Sequence, residues 1–154
     1  MIYLSGSCAS EDRTMMTKIA KCLRDAGNEV YCPFELKIEN AWDYSQEQWA
    51  SMVYDADIKA LENSDIFLLI SPGRISTAGS NWEQGYVCAL NKDPYSGKKP
   101  KKIIVIQYTD SPTSLITFRG CHVFKNSNPK DLYKDILEAI EYIPGSKVCE
   151  TVLT

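Results

Sequence analysis

Several features that mark specialised protein classes are scarce or missing in this 154-residue chain. There is one histidine, His122, and the six cysteines form no CxxC pair and no metal-like spacing. No metal or organic cofactor is therefore expected. Basic charge is not in excess, since 17 Lys and Arg against 20 Asp and Glu leave a net charge of -3 and a pI near 5.2. That balance argues against a protein that grips a nucleic-acid backbone. No apolar run approaches the ~20 residues of a membrane span. The start lacks the charged segment and apolar stretch of a signal peptide, so the expected location is the cytoplasm. Cysteines inside apolar runs fit small buried hydrophobes in a reducing compartment. Repeats, low-complexity segments and linkers are also missing, so residues 1–154 are expected to form one domain.

What remains is a regular alternation of patterns. Ile2 to Ser5, Glu29 to Cys32, Ile66 to Ile70 and Ile103 to Gln107 are short apolar runs that predict strands, with a short fifth at His122 to Phe124. Between them, Glu11 to Ala26, Ser45 to Ser64 and Asn81 to Lys92 have helical periodicity, and Pro129 to Tyr142 closes the series. Glu35 to Tyr44 reads as irregular, and Lys98 to Lys102 as a solvated loop before a strand. This pattern predicts a three-layer α/β domain: a mostly parallel, flavodoxin-like or Rossmann-like sheet of about five strands with helices on both faces. Ligands in such sheets bind beyond the carboxyl ends of the strands. The loops Ser5 to Ser10, Ser71 to Ser80 and Thr109 to Phe118 should meet there.

The stretch from Ser71 to Leu90 passes from loop to helix near Ser80 and places one carboxylate, Glu83, at the helix start. With Asn81 first, Glu83 aligns with Tyr86, Val87 and Leu90 on the inward face. A carboxylate there would feel the positive end of the helix and stay ionised, as a nucleophile must. Ser80-Asn-Trp-Glu83 equally fits a capping box, in which Glu83 only binds the Ser80 amide. Spacing leaves both roles open. In the preceding helix Asp57 stands four residues from Val53 and Leu61, at the border of the apolar face, while Asp55 falls on the wet side.

Three separated motifs, in order, resemble the nucleoside 2-deoxyribosyltransferase family: Ile2-Tyr-Leu-Ser-Gly-Ser7, the Tyr54 to Asp65 segment with Asp57, and Gly79-Ser-Asn-Trp-Glu83 continuing to Lys92. The resemblance implies a homo-oligomer in which a neighbouring subunit completes the site, acting on a small-molecule nucleoside or nucleotide. It implies that Glu83 is the nucleophile, that Asp57 lies beside base and sugar, and that Tyr3 supports the site. Gly6 and Gly79 belong to the same motifs. Where transferases commonly have an Asp six residues before the nucleophile this chain has Thr77, and where they often have an Asn after the fourth strand it has Ser114. The first loop, Ser5-Gly-Ser-Cys-Ala-Ser-Glu-Asp-Arg-Thr14, is similar instead to the branch that hydrolyses 2'-deoxynucleoside 5'-monophosphates. A phosphate would favour hydroxyls over a carboxylate, which makes Ser7, Ser10, Thr77 and Ser114 candidates, although such residues are also ordinary in loops. Three functions follow as expectations: a nucleotide N-hydrolase, a base-exchanging transferase, or a non-catalytic nucleotide-binding module.

Overall fold

The computed structural model describes residues 1–73 and 78–142. Five strands, β1 (Ile2–Ser5), β2 (Val30–Tyr31), β3 (Ile66–Ser71), β4 (Lys102–Gln107) and β5 (Val123–Asn126), pair in the order β2-β1-β3-β4-β5, all parallel. Five helices join them: α1 (Arg13–Asp25), α2 (Gln46–Asn63), α3 (Ala78–Lys92), α4 (Leu115–Arg119) and α5 (Leu132–Glu141). This is the flavodoxin-like order, whose switch point lies between β1 and β3. The expected α/β architecture is therefore present, with α4 as an element that the periodicity missed. Single 3-10 turns at Pro33–Glu35 and Ala41–Asp43 occupy the segment read as irregular.

The central strands β1, β3 and β4 are apolar except at their ends because both faces of the sheet are covered there. Ile2, Leu4, Leu68, Ile70, Ile104 and Ile106 pack with residues of α1 and α5. Tyr3, Phe67, Leu69, Ile103 and Val105 face the other way, with Leu61 of α2 and Val87 of α3. Leu4 has no exposed surface and sits mid-sheet, so Leu4→Ala should cost about 2–5 kcal/mol in denaturant unfolding. A loss below about 1 kcal/mol would show that this layer repacks freely.

Local chemistry explains where the helices begin and end. Helix α1 stops at Gly27, whose φ of 89° suits glycine, and the Asn28 N–H returns to the Leu23 carbonyl. A capping box does exist in the chain, but it opens α2: the Gln48 N–H donates to Ser45 Oγ at 3.2 Å and the Ser45 N–H to Gln48 Oε1 at 2.9 Å. The lysine cluster is not simply a solvated loop. Lys101 is buried and its ammonium donates to the carbonyls of Glu62 and Ser64, at 2.8 and 2.9 Å. Lys102 does the same for Ala139, Ile140 and Tyr142. Each cation thus satisfies the orphan carbonyls at one helix C-terminus. The partners are 37–40 residues away in sequence, so no local pattern reveals them. No helix among the described residues is long and apolar enough to cross a membrane.

Candidate active site

Glu83 belongs to the second turn of α3, because the helix begins at Ala78 rather than at Asn81. Alanine is the strongest helix former and Gly79 costs only about 1 kcal/mol, a penalty that packing outweighs. Ser80 is buried inside the helix and its hydroxyl donates to the Gly6 carbonyl at 3.4 Å. The Ser80–Glu83 capping box is accordingly not formed, and the helix-end field, which fades within the first turn, is weaker at Glu83 than the sequence suggested.

The carboxylate instead points at the sheet. Tyr3 Oη donates to Glu83 Oε1 at 3.0 Å, and Ser5 Oγ donates to Oε2 at 2.5 Å. Alternation along β1 puts Tyr3 and Ser5 on one face, toward α2 and α3. Burial pushes the Glu83 carboxyl above the usual glutamate range, the bonds from Ser5 and Tyr3 pull it down, and the charge of Asp57 adds to the rise. Tyr3 is driven well above the ordinary tyrosine value by burial and then by the two carboxylates, so it stays a donor.

Asp57 is half-buried on α2 and accepts from Tyr31 Oη at 2.7 Å. Tyr31 stands opposite Tyr3 in the register of β1 and β2, with ring centroids 5.3 Å apart, and Phe67 of β3 stacks on the other side of Tyr3 at 5.9 Å. A row of three aromatic rings across the sheet therefore floors the site and links the two carboxylates. Burial raises the Asp57 carboxyl, and the bond from Tyr31 partly offsets the rise.

Two cavities meet at Glu83. One, of about 240 Å³, is lined by Gly6, Cys8, Pro33, Gly79, Ser80 and Glu83. The second, of about 320 Å³, runs between α2 and α3, with Trp49, Val53, Asp57, Ile58 and Trp82 among its walls. Gly6 allows a close approach, since a Cβ there would lie 2.6 Å from Met16 Cε. The structure thus brings together Glu83, Asp57, Tyr3, Gly6 and Gly79. Ser7 and Ser10 lie in the adjoining loop, where Ser7 Oγ accepts from the Ala9 N–H and Ser10 Oγ donates to Glu11. Thr77 lies outside the described residues. Ser114 caps α4 and lines a different cavity, of about 570 Å³, beside Asn81, Gln84 and Arg119. His122 is also away from Glu83, and its Nδ1 accepts from the Ile103 N–H at 2.9 Å.

Sequence reasoning missed Ser5 and Tyr31. A period of two from Tyr3 finds Ser5, and the parallel register finds Tyr31. The cysteines are less uniform than expected: Cys32 is buried, Cys8 is exposed, Cys22, Cys88 and Cys121 are intermediate, and Cys149 lies outside the described residues.

A flavodoxin-like sheet with two inward carboxylates at its switch point defines an α/β domain equipped for acid, base or nucleophilic work. The family is now plain as well: the model of the nucleoside 2-deoxyribosyltransferase family matches residues 2–133, and the chain belongs to that family. It is thereby an enzyme of N-glycosyl cleavage or transfer. Among solved structures the fold is similar to the 2-deoxyribosyltransferase of the psychrotolerant bacterium Bacillus psychrosaccharolyticus, with a TM-score of 0.67 and 22% identity over 86% of this chain and 89% of that one. It is also similar to a conserved protein from Enterococcus faecalis V583, with a TM-score of 0.65, 18% identity, and 89% and 96% of the two chains covered. A CMP N-glycosidase of Clostridium botulinum matches with a TM-score of 0.56 and 15% identity over 89% and 98%. Curated proteins yield no match.

Proposed function

We propose that the protein hydrolyses the N-glycosidic bond of a 2'-deoxynucleoside or nucleoside 5'-monophosphate through a covalent intermediate on Glu83. The observation that carries this reading is the Glu83 carboxylate, held by Tyr3 and Ser5 at the junction of two cavities and sharing one of them with Asp57. A Glu83 oxygen attacks the anomeric carbon as the bond to the base nitrogen breaks, and the electron pair departs with the base. Asp57, raised by burial, gives that nitrogen a proton directly or through one water. Water then attacks the anomeric carbon of the ester, Asp57 takes its proton, and Glu83 leaves as carboxylate. Two displacements retain the configuration of the sugar.

The phosphate part rests on chemistry. A carboxylate beside a dianion is repelled, whereas hydroxyls donate to it, and this chain has Thr77 and Ser114 where transferases have an acid and an amide. Ser7 uses its oxygen as acceptor and keeps its hydrogen for donation. Within one chain Ser114 lies in another cavity, next to the exposed Leu115 and Ile116, so its part requires the loop of a neighbouring subunit. The similar fold of a CMP N-glycosidase supports this reading.

Chromatography of mixtures containing a deoxynucleoside or its monophosphate, with and without a second base, tests the proposal. Free base and sugar phosphate should form from the monophosphate with no acceptor present. Formation of a new nucleoside only when a second base is added would make the enzyme a transferase, and inertness toward every substrate would favour the binding module.

A further inference from the structure

We propose that Ser5 is a positioning residue of this reaction: its hydroxyl aims the Glu83 carboxylate at the junction of the cavities and is the principal donor to the charge there. The inference rests on the nucleophilic reading of Glu83 and extends it to a residue that lines neither cavity.

The surroundings of Glu83 make a donor necessary. From β1 it meets Tyr3 and Ser5, from α2 Asp57, from the first loop Cys8, and Tyr31 of β2 reaches it only through the Tyr3 ring. Among the described residues acting on the carboxyl none is a cation, and Asp57 has the same sign of charge. A carboxylate taken from water without a counter-ion must find hydrogen-bond donors or take up a proton. Two hydroxyls do this, one for each oxygen, and the bond from Ser5 is the shorter, 2.5 Å against 3.0 Å. Donors to an ionised acceptor are worth more than neutral pairs.

Ser5 has little other reason to be serine. It is 1% exposed, it ends a strand that is otherwise apolar, and its side-chain bond goes to Glu83. Its backbone pairs with Leu69 of β3, so the hydroxyl is fixed by the sheet and not by a flexible loop. In the first displacement that rigid bond holds one carboxylate oxygen while the other lone pairs face the sugar. In the second, the same donor stabilises the departing carboxylate, so one hydroxyl serves both halves of turnover.

The test compares the wild type with Ser5→Ala, Ser5→Thr and Glu83→Gln on the monophosphate, with a carbon-13 titration of glutamate carboxyls in which Glu83→Gln identifies the Glu83 signal. Ser5→Ala should lower kcat about 10- to 100-fold with KM within about twofold, since losing one donor to a charge is worth that much and Ser5 lines neither cavity. Its activity should rise toward alkaline pH later than that of the wild type, in step with an upward move of the Glu83 titration. Ser5→Thr, which keeps the hydroxyl, should recover most of the rate and the wild-type profile. An unmoved profile and titration in a folded Ser5→Ala enzyme, beside an inert Glu83→Gln, would overturn the role of Ser5 alone. An active Glu83→Gln would overturn the nucleophilic reading itself, and the role of Ser5 with it.

Discussion

Glu83→Gln is expected to abolish turnover, with kcat reduced at least about 10³-fold, or ~4 kcal/mol of barrier, while the fold remains. The amide keeps the shape of the carboxylate and can still accept from Tyr3 or Ser5, but it cannot form the glycosyl ester. Stability should move the other way. Burial raises the Glu83 carboxyl in the folded state, so the native protein holds this proton more tightly than the unfolded chain. Stability contributed in this way is present below the ordinary glutamate value, ~4.3, and is lost as pH rises through the raised value. At neutral pH the ionised group is therefore a burden that the hydroxyls of Ser5 and Tyr3 only partly relieve. The Gln variant should melt at or above the wild-type temperature at pH 7–8, with the advantage vanishing near pH 4. Calorimetry at the two pH values and a single-turnover assay are sufficient. Turnover above a tenth of the wild-type rate would remove Glu83 as nucleophile, and a lower melting temperature at pH 7–8 would show that its charge stabilises the fold.

The different legibility of these residues has a physical pattern. Strands buried on both faces announce themselves as unbroken apolar runs, so β1, β3 and β4 and the order of layers were readable from composition alone. Helix α2 was readable from its periodicity and the Ser45 start. Features set by distant partners were not. Helix α3 starts at Ala78, with Ser80 inside it and bonded to the Gly6 carbonyl 74 residues away, and that earlier start moved Glu83 out of the first turn. Lys101 and Lys102 seemed exposed because their acceptors are backbone carbonyls, which no sequence pattern displays. Trp49, which helical spacing groups with Val53, is 46% exposed and lines the cavity between α2 and α3. Short elements were harder: the run from Glu29 to Cys32 forms only the two-residue β2, and the five residues of α4 are too few for a period to show. Tyr31 fell inside the expected second strand, but its role was missed, since its place beside Tyr3, from which it supplies Asp57 with a donor, depends on the register between strands.

Asp57→Asn should give the second large loss, about 10²- to 10⁴-fold in kcat for an ordinary base, and its dependence on the leaving group reveals the mechanism. If Asp57 protonates the departing nitrogen, a base that is stable as an anion needs no such help. The variant should then be nearly normal on a substrate whose base is strongly electron-poor and severely slowed on one whose base is not. An equal loss on both would assign Asp57 to substrate positioning rather than to proton transfer. The pH profile supplies an independent check. Both carboxyls are raised, Glu83 and Asp57 alike chiefly by burial, yet the chemistry requires one ionised and one protonated. Activity must rise as Glu83 loses its proton and fall as Asp57 loses its own, so the wild type should show a bell. Asp57→Asn should erase the alkaline limb. The acid limb should stay near its wild-type place, because in the productive form Asp57 is still a neutral acid while Glu83 ionises. An alkaline limb that survives in Asp57→Asn would mean that another group gives the base its proton, and the paired reading of the site would fail with it.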